Sequence, residues 1–101
     1  MVFIHTTCAT GEEAEALSKL IIDNRMGACV HYWPINSMYN WKGGFKKMEE
    51  FMMVITTFES KLEVVNDLIS KHHSYSTPMI AGVDVRRINR AYKEWMMEEV
   101  A

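Results

Sequence analysis

The sequence predicts an α+β fold built on one antiparallel sheet, and three observations predict it. Two long β-prone arms, residues 28–42 and 45–58, flank a Gly43-Gly44 pair that reads as a hairpin turn. Two stretches carry apolar residues at helical spacing behind an S/T-x-x-E box, Thr10-Gly11-Glu12-Glu13 and Ser60-Lys61-Leu62-Glu63. Two shorter strand-like segments, Val2–Thr7 and Met79–Val85, lie outside them and complete the sheet.

Each element follows from its residues. Val2 to Thr7 is apolar and β-branched, a strand composition. Ala14, Leu17, Leu20 and Ile21 then recur at helical spacing, Glu15 and Lys19 form a favourable i,i+4 pair, and Gly27 is a stop signal, so a helix is predicted from about Gly11 to Met26. In the hairpin, Pro34 lacks an N–H and is expected to interrupt pairing or mark a bend. Leu62, Val65, Leu68 and Ile69 form the stripe of a second helix that ends near His72 and His73. After Pro78, the alternation of Met79, Ala81, Val83 and Val85 predicts a fourth strand. Asn89 is placed to cap a last helix carrying Tyr92, Trp95 and Met96 on one side. Strand, helix, strand, strand, helix, strand is the split βαβ, ferredoxin-like order, predicted as a single domain over residues 1–101 with both main helices on one face.

Composition narrows the function classes. Apolar residues make up 49% of the chain and charged ones 24%, ordinary for a globular protein. The net charge of −2 gives no electrostatic case for nucleic acid. No apolar run approaches the roughly 20 residues of a membrane span, and Met1–Thr7 has no basic n-region, so a cytoplasmic protein is expected. Cys8 and Cys29 have no CxxC spacing and form no disulfide framework. Without GxSxG, HExxH or a phosphate loop, neither catalytic residues nor an enzymatic activity is expected.

The hairpin carries a stronger expectation. An arm of about 14 residues at about 3.3 Å each is about 45 Å long, whereas the helices reach only about 20–25 Å. The helices cannot cover the ribbon. Its outer half would expose Trp33, Tyr39, Trp41 and Phe45 unless another subunit buries them, so the chain is expected to assemble.

Several motifs now stand in one order: Ala28-Cys29-Val30; Ser37-Met38-Tyr39-Asn40-Trp41-Lys42-Gly43; Glu50; His73-Ser74-Tyr75-Ser76-Thr77-Pro78; Tyr92-Lys93-Glu94-Trp95. In order and spacing this resembles the CutA divalent-cation tolerance proteins over essentially the whole chain. The resemblance implies a ferredoxin-like homotrimer whose long hairpins pack on neighbouring subunits, with interface positions that include Trp95. It also implies a link to tolerance of copper and other divalent cations, with copper bound by some members and no cofactor required for folding. The chain departs from the family pattern at Ser76, Met79, Thr56 and Gly44, where family charges are missing.

Candidate chemistry is sparse. His72 and His73 are the best metal candidates, because imidazole suits copper and zinc; the resemblance adds Cys8, whose thiolate favours copper(I). A structural reading stands beside this, since histidines at a helix C-terminus gain from the dipole. Tyr39 and Trp41 share one side of a strand and read as interface core, or as walls of a small-ligand pocket between subunits with Lys42, Glu50 and Tyr75. Glu50, in an apolar strand, needs a partner, with Arg86, Arg87, Arg90 and Lys93 of a neighbouring chain as candidates. Two alternatives to metal binding are a small-molecule sensor of the PII type and a purely structural trimer.

Overall fold

Alternation along the first strand sets the two faces of the sheet. In the computed structural model, which describes residues 1–101, β1 runs Val2–Cys8 with Val2, Ile4, Thr6 and Cys8 buried and the intervening residues half-buried. Six more elements complete the main fold: α1 (Gly11–Asp23), β2 (Cys29–Trp41), β3 (Gly44–Thr57), α2 (Leu62–His72), β4 (Ala81–Asp84) and α3 (Arg90–Glu99). The sheet order is β2-β3-β1-β4, with every neighbouring pair antiparallel. Each main helix therefore joins two parallel strands across a third, the split βαβ arrangement. Ala14, Leu17 and Ile21 of α1 and Val65 and Ile69 of α2 pack with Val2, Ile4, Cys8, Met53 and Ile55 in one core on one face. The opposite face carries Phe3, His5, Thr7, Met52 and Val54, and only α3 among the helices lies against part of it, through Tyr92, together with Ile88 just before the helix. No helix is long and apolar enough to cross a membrane.

The first capping box forms as expected. Thr10 Oγ1 accepts the Glu13 N–H at 3.1 Å, and Glu13 Oε1 accepts the Ala9 N–H at 3.1 Å. The helix stops earlier than expected, at Asp23. Arg25, at φ 54°, donates its N–H to the Ile22 carbonyl and Met26 donates to Ile21, which closes a Schellman turn. Gly27 is therefore not the left-handed residue. It is small for packing, because a Cβ there would lie 2.8 Å from Ile55 Cγ2 and 3.0 Å from Ile21 Cγ2. Arg25 is held in its unfavourable conformation by its own side chain, whose guanidinium donates to the carbonyls of Glu98 and Glu99 at the end of α3.

Four other expectations are corrected. Ser60 caps nothing, because a 3-10 turn at Glu59–Lys61 absorbs it and α2 starts at Leu62 without a side-chain cap. Asn89 occupies the N-cap position of α3 but makes no side-chain cap bond. Pro34 does not interrupt β2, whose ladder with β3 is continuous from Cys29 to Trp41. β2 is the edge strand, so a missing N–H is tolerated on its unpaired side. The turn lies one residue earlier than Gly43-Gly44. Lys42 (φ 50°) and Gly43 (φ 78°) are its two central residues, a type I′ pattern, and Gly44 already pairs with Trp41. The hairpin gives the molecule its long axis of 46 Å, against 25 and 21 Å for the other two.

Candidate functional site

Three donor groups meet where β1, α1 and the end of α2 converge. Cys8 ends β1, Glu13 lies in the first turn of α1, and His73 is the C-cap of α2. One ligand atom from each lies within 4.8 Å of the others. Of the three metal candidates in the sequence, the fold thus brings Cys8 and His73 together. His72 is exposed on the last turn of α2 and is not in the group. Glu13 is the member that could not be chosen from its residue type and position, because its capping role explained it.

Each donor is already engaged. The His73 ring is fully buried. Its Nε2 lies 2.8 Å from the Thr7 carbonyl, and its Nδ1 accepts the Tyr75 N–H at 3.0 Å. An accepting Nδ1 puts the proton on Nε2, which donates to Thr7, so the ring is neutral in this arrangement. The Glu13 oxygen 3.8 Å away therefore faces an uncharged imidazole. Glu13 Oε2 accepts the Ser74 N–H at 2.7 Å. Burial pushes the Glu13 carboxyl up, but the hydrogen bonds from Ser74 and Ala9 outweigh it and hold it below the usual carboxylate range. The Cys8 thiol is buried 3.3 Å from Met53 Sδ. Burial, with the charges of Glu13 and Glu50, pushes it up to about 12, so it is protonated at neutral pH.

A second feature lies on the open face of the sheet. A groove of about 710 Å³ is bounded by Tyr39, Trp41, Lys46, Met48 and Glu50 of the hairpin and by the segment Ser74–Thr77. Glu50 is only 5% exposed. Within the chain it has one partner: the Tyr75 hydroxyl donates to Glu50 Oε2 at 2.6 Å. Burial, then this bond and the Glu50 charge, raises the Tyr75 phenol above its ordinary value. The Tyr39 hydroxyl reaches Met48 Sδ at 3.1 Å. Of the pocket residues expected from the sequence, Tyr39, Trp41, Glu50 and Tyr75 line this groove. Lys42 does not; it sits in the turn with its ammonium 6.0 Å from the Trp41 ring centre, and Lys46 takes its place. Trp33 lines a different hollow, with His31 and Tyr92, and Trp95 packs edge-on against Tyr92 at 5.2 Å, exposed on its other side.

The two features share a segment. His73 binds β1, Ser74 binds Glu13 of α1, and Tyr75 binds Glu50 of β3. Comparison with known proteins assigns the chain to a family: residues 2–99 match the one described as CutA1 divalent ion tolerance protein. The chain belongs to the CutA1 family. A divalent-cation tolerance protein CutA from Archaeoglobus fulgidus is 34% identical over 98 residues, covering 97% of this chain and 96% of its own. A solved structure described as the periplasmic divalent cation tolerance protein CutA from the same organism superposes with a TM-score of 0.97 at 33% identity, over the full length of both chains. CutA1 from Pyrococcus horikoshii gives 0.97 at 30% identity, over 100% of this chain and 99% of its own. Within this CutA1 chain, the contact of Glu13 with Ser74 was unreadable in advance, since it joins residues 61 apart. Tyr75 and Glu50 were expected in one pocket, but not the hydrogen bond that joins them.

Proposed function

We propose that the protein works as a homotrimer that responds to a copper or other soft divalent cation at Cys8, Glu13 and His73. The observation that carries the reading is the convergence of a thiol, a carboxylate and an imidazole within 4.8 Å in a family named for divalent ion tolerance. A mixed sulfur, nitrogen and oxygen set suits copper or zinc and not calcium or magnesium. The residues fit such an ion on two conditions: Cys8 must lose its proton, and His73 Nδ1 must release the Tyr75 N–H. Release of that bond loosens the segment that ties Tyr75 to Glu50, so loading would be felt in the groove. The protein then acts by coordination and not by turnover. The assembly half of the reading is supported by the hairpin, where no residue from Asn36 to Glu49 is buried although Met38, Tyr39, Trp41 and Phe45 lie there. The free thiols of Cys8 and Cys29 support a cytoplasmic setting, where cysteines stay reduced.

Calorimetric titration with copper tests the site. Wild type is expected to bind, and Cys8→Ser and His73→Asn to bind at least about tenfold more weakly, whereas His72→Ala behaves as wild type. Equal binding by all four removes the site. Light scattering at micromolar concentration should report three copies, and a stable single folded chain would overturn the assembly.

A second reading, a small-molecule sensor of the PII type, is favoured by the groove between hairpin and Ser74–Thr77. It predicts a thermal shift with small ligands that Tyr39→Ala abolishes and Cys8→Ser leaves intact.

A further inference from the structure

Glu50 is nearly shut away on the open face of β3, yet the chain occupies only one of its two oxygens. Oε2 accepts the Tyr75 hydroxyl, whereas Oε1 receives no hydrogen bond from the chain and still opens into the groove. A buried carboxylate oxygen without a donor is costly, and the donor that suits it best is a cation. The one cation lining the groove, Lys46, does not supply this bond, because its ammonium pairs with no carboxylate of the chain.

The register of the hairpin explains why the two charges stay apart. Lys46 and Glu50 are four residues apart on one strand, so they share a face but stand about 13 Å from each other along it. Met48 lies between them on the same face, with Tyr39 opposite Lys46 and Ser37 opposite Met48. The groove is thus a trough with an anion at its inner end, a cation at its outer end and Tyr39 and Met48 as the floor between. The wall from Ser74 to Thr77 adds hydroxyl-bearing side chains.

The layout selects among ligands. A simple cation would satisfy Glu50 and leave Lys46 alone, and a simple anion would do the reverse. A zwitterion answers both. With about 3 Å taken up by the contact at each end, its charges should stand about 7 Å apart, and at about 3.5 Å per residue that is the span of a very short peptide.

We propose that the groove binds a zwitterionic di- or tripeptide, with its amino terminus on Glu50 Oε1, its carboxylate on Lys46 and an apolar side chain against Tyr39 and Trp41. The proposal rests on the sensor reading, in which the groove holds a small ligand, and adds the chemical class of that ligand.

The probe is glycyl-phenylalanyl-glycine, titrated calorimetrically into the whole protein beside its N-acetylated and C-amidated forms. The free peptide should bind, and either block should weaken binding at least about tenfold. Glu50→Gln should weaken the free peptide by a similar factor and make binding insensitive to acetylation. Lys46→Met should make it insensitive to amidation. Both blocked peptides are read on wild type, so the test does not require a variant to fold. Equal binding of the free and acetylated peptides overturns the proposal and leaves a small-ligand groove standing. If the free peptide fails, and a panel of small amines, acids and uncharged compounds fails with it, the sensor reading falls as well. The proposal is also overturned if no peptide binds and Glu50→Gln dissociates the assembly in sedimentation, because Oε1 then serves a neighbouring chain's cation.

Discussion

From Cys29 to Ile35 and from Glu50 to Thr57, the hairpin lies against the body of the molecule. From Asn36 to Glu49 the same ladder runs on, register unbroken, with no buried residue. The backbone hydrogen bonds are equivalent in the two halves, so pairing does not set them apart. What differs is the side-chain environment. Met53 and Ile55 are fully buried under the helices, whereas Met38 and Phe45 are each 67% exposed. An isolated two-stranded ribbon is marginal in water, and a run of exposed aromatic and Met side chains marks a surface made to be covered. The contrast is between a half that its own chain covers and a half that its own chain leaves uncovered.

The largest expected effect breaks the inner half. Ile55→Ala should destabilise the chain by about 2–5 kcal/mol, through lost transfer energy and the cavity left under α1. Phe45→Ala should cost the dissociated chain less than about 0.5 kcal/mol and instead shift the assembly toward single chains in sedimentation. Urea unfolding at several protein concentrations separates these outcomes. If Phe45→Ala costs the dissociated chain as much as Ile55→Ala, the two halves are not different in kind.

Tyr75→Phe probes the boundary between the halves. It leaves the Glu50 carboxylate buried without its donor, which should cost about 1–3 kcal/mol. Tyr39→Phe, which gives up only a contact to Met48 Sδ farther out, should be close to neutral in the same thermal melts.

Glu13 gives a pH-dependent form of the test, confined to the inner end. Its folded carboxyl titrates below the unfolded value of about 4.3 because the bonds from Ser74 and Ala9 outweigh burial. The stability it contributes is therefore present above the unfolded value and is lost as pH falls through the folded one. Glu13→Gln should flatten that part of the acid limb in melts taken between neutral pH and about pH 3, whereas Glu49→Gln on the exposed ribbon should not.

How much of this was legible depended on distance along the chain. β1, α1, the hairpin and α2 follow from alternation, from helical spacing and from the Thr10 cap, all signals within a few residues. The errors came where a neighbour in space overrode a local rule. Gly27 read as a helix stop, but Arg25 takes the left-handed position because the carbonyls of Glu98 and Glu99 receive its guanidinium, and Gly27 is fixed by the methyls of Ile21 and Ile55. Pro34 read as a break, but an edge strand has N–H groups to spare. Residue chemistry pointed to His72 and His73 alike, and only the C-cap geometry shows that one ring turns inward to Thr7 and the other outward.

The smallest effect sits at the tip, where the ribbon has only its own turn to specify it. Lys42 adopts φ 50° in a type I′ turn, a conformation that asparagine tolerates better than lysine. Lys42→Asn should therefore stabilise the dissociated chain by a few tenths of a kcal/mol, at most about 1, even though it removes the ammonium near Trp41. A loss of stability would mean that the Lys42–Trp41 contact outweighs the backbone preference. The distal ribbon would then hold some of its own order, which narrows the contrast between the two halves.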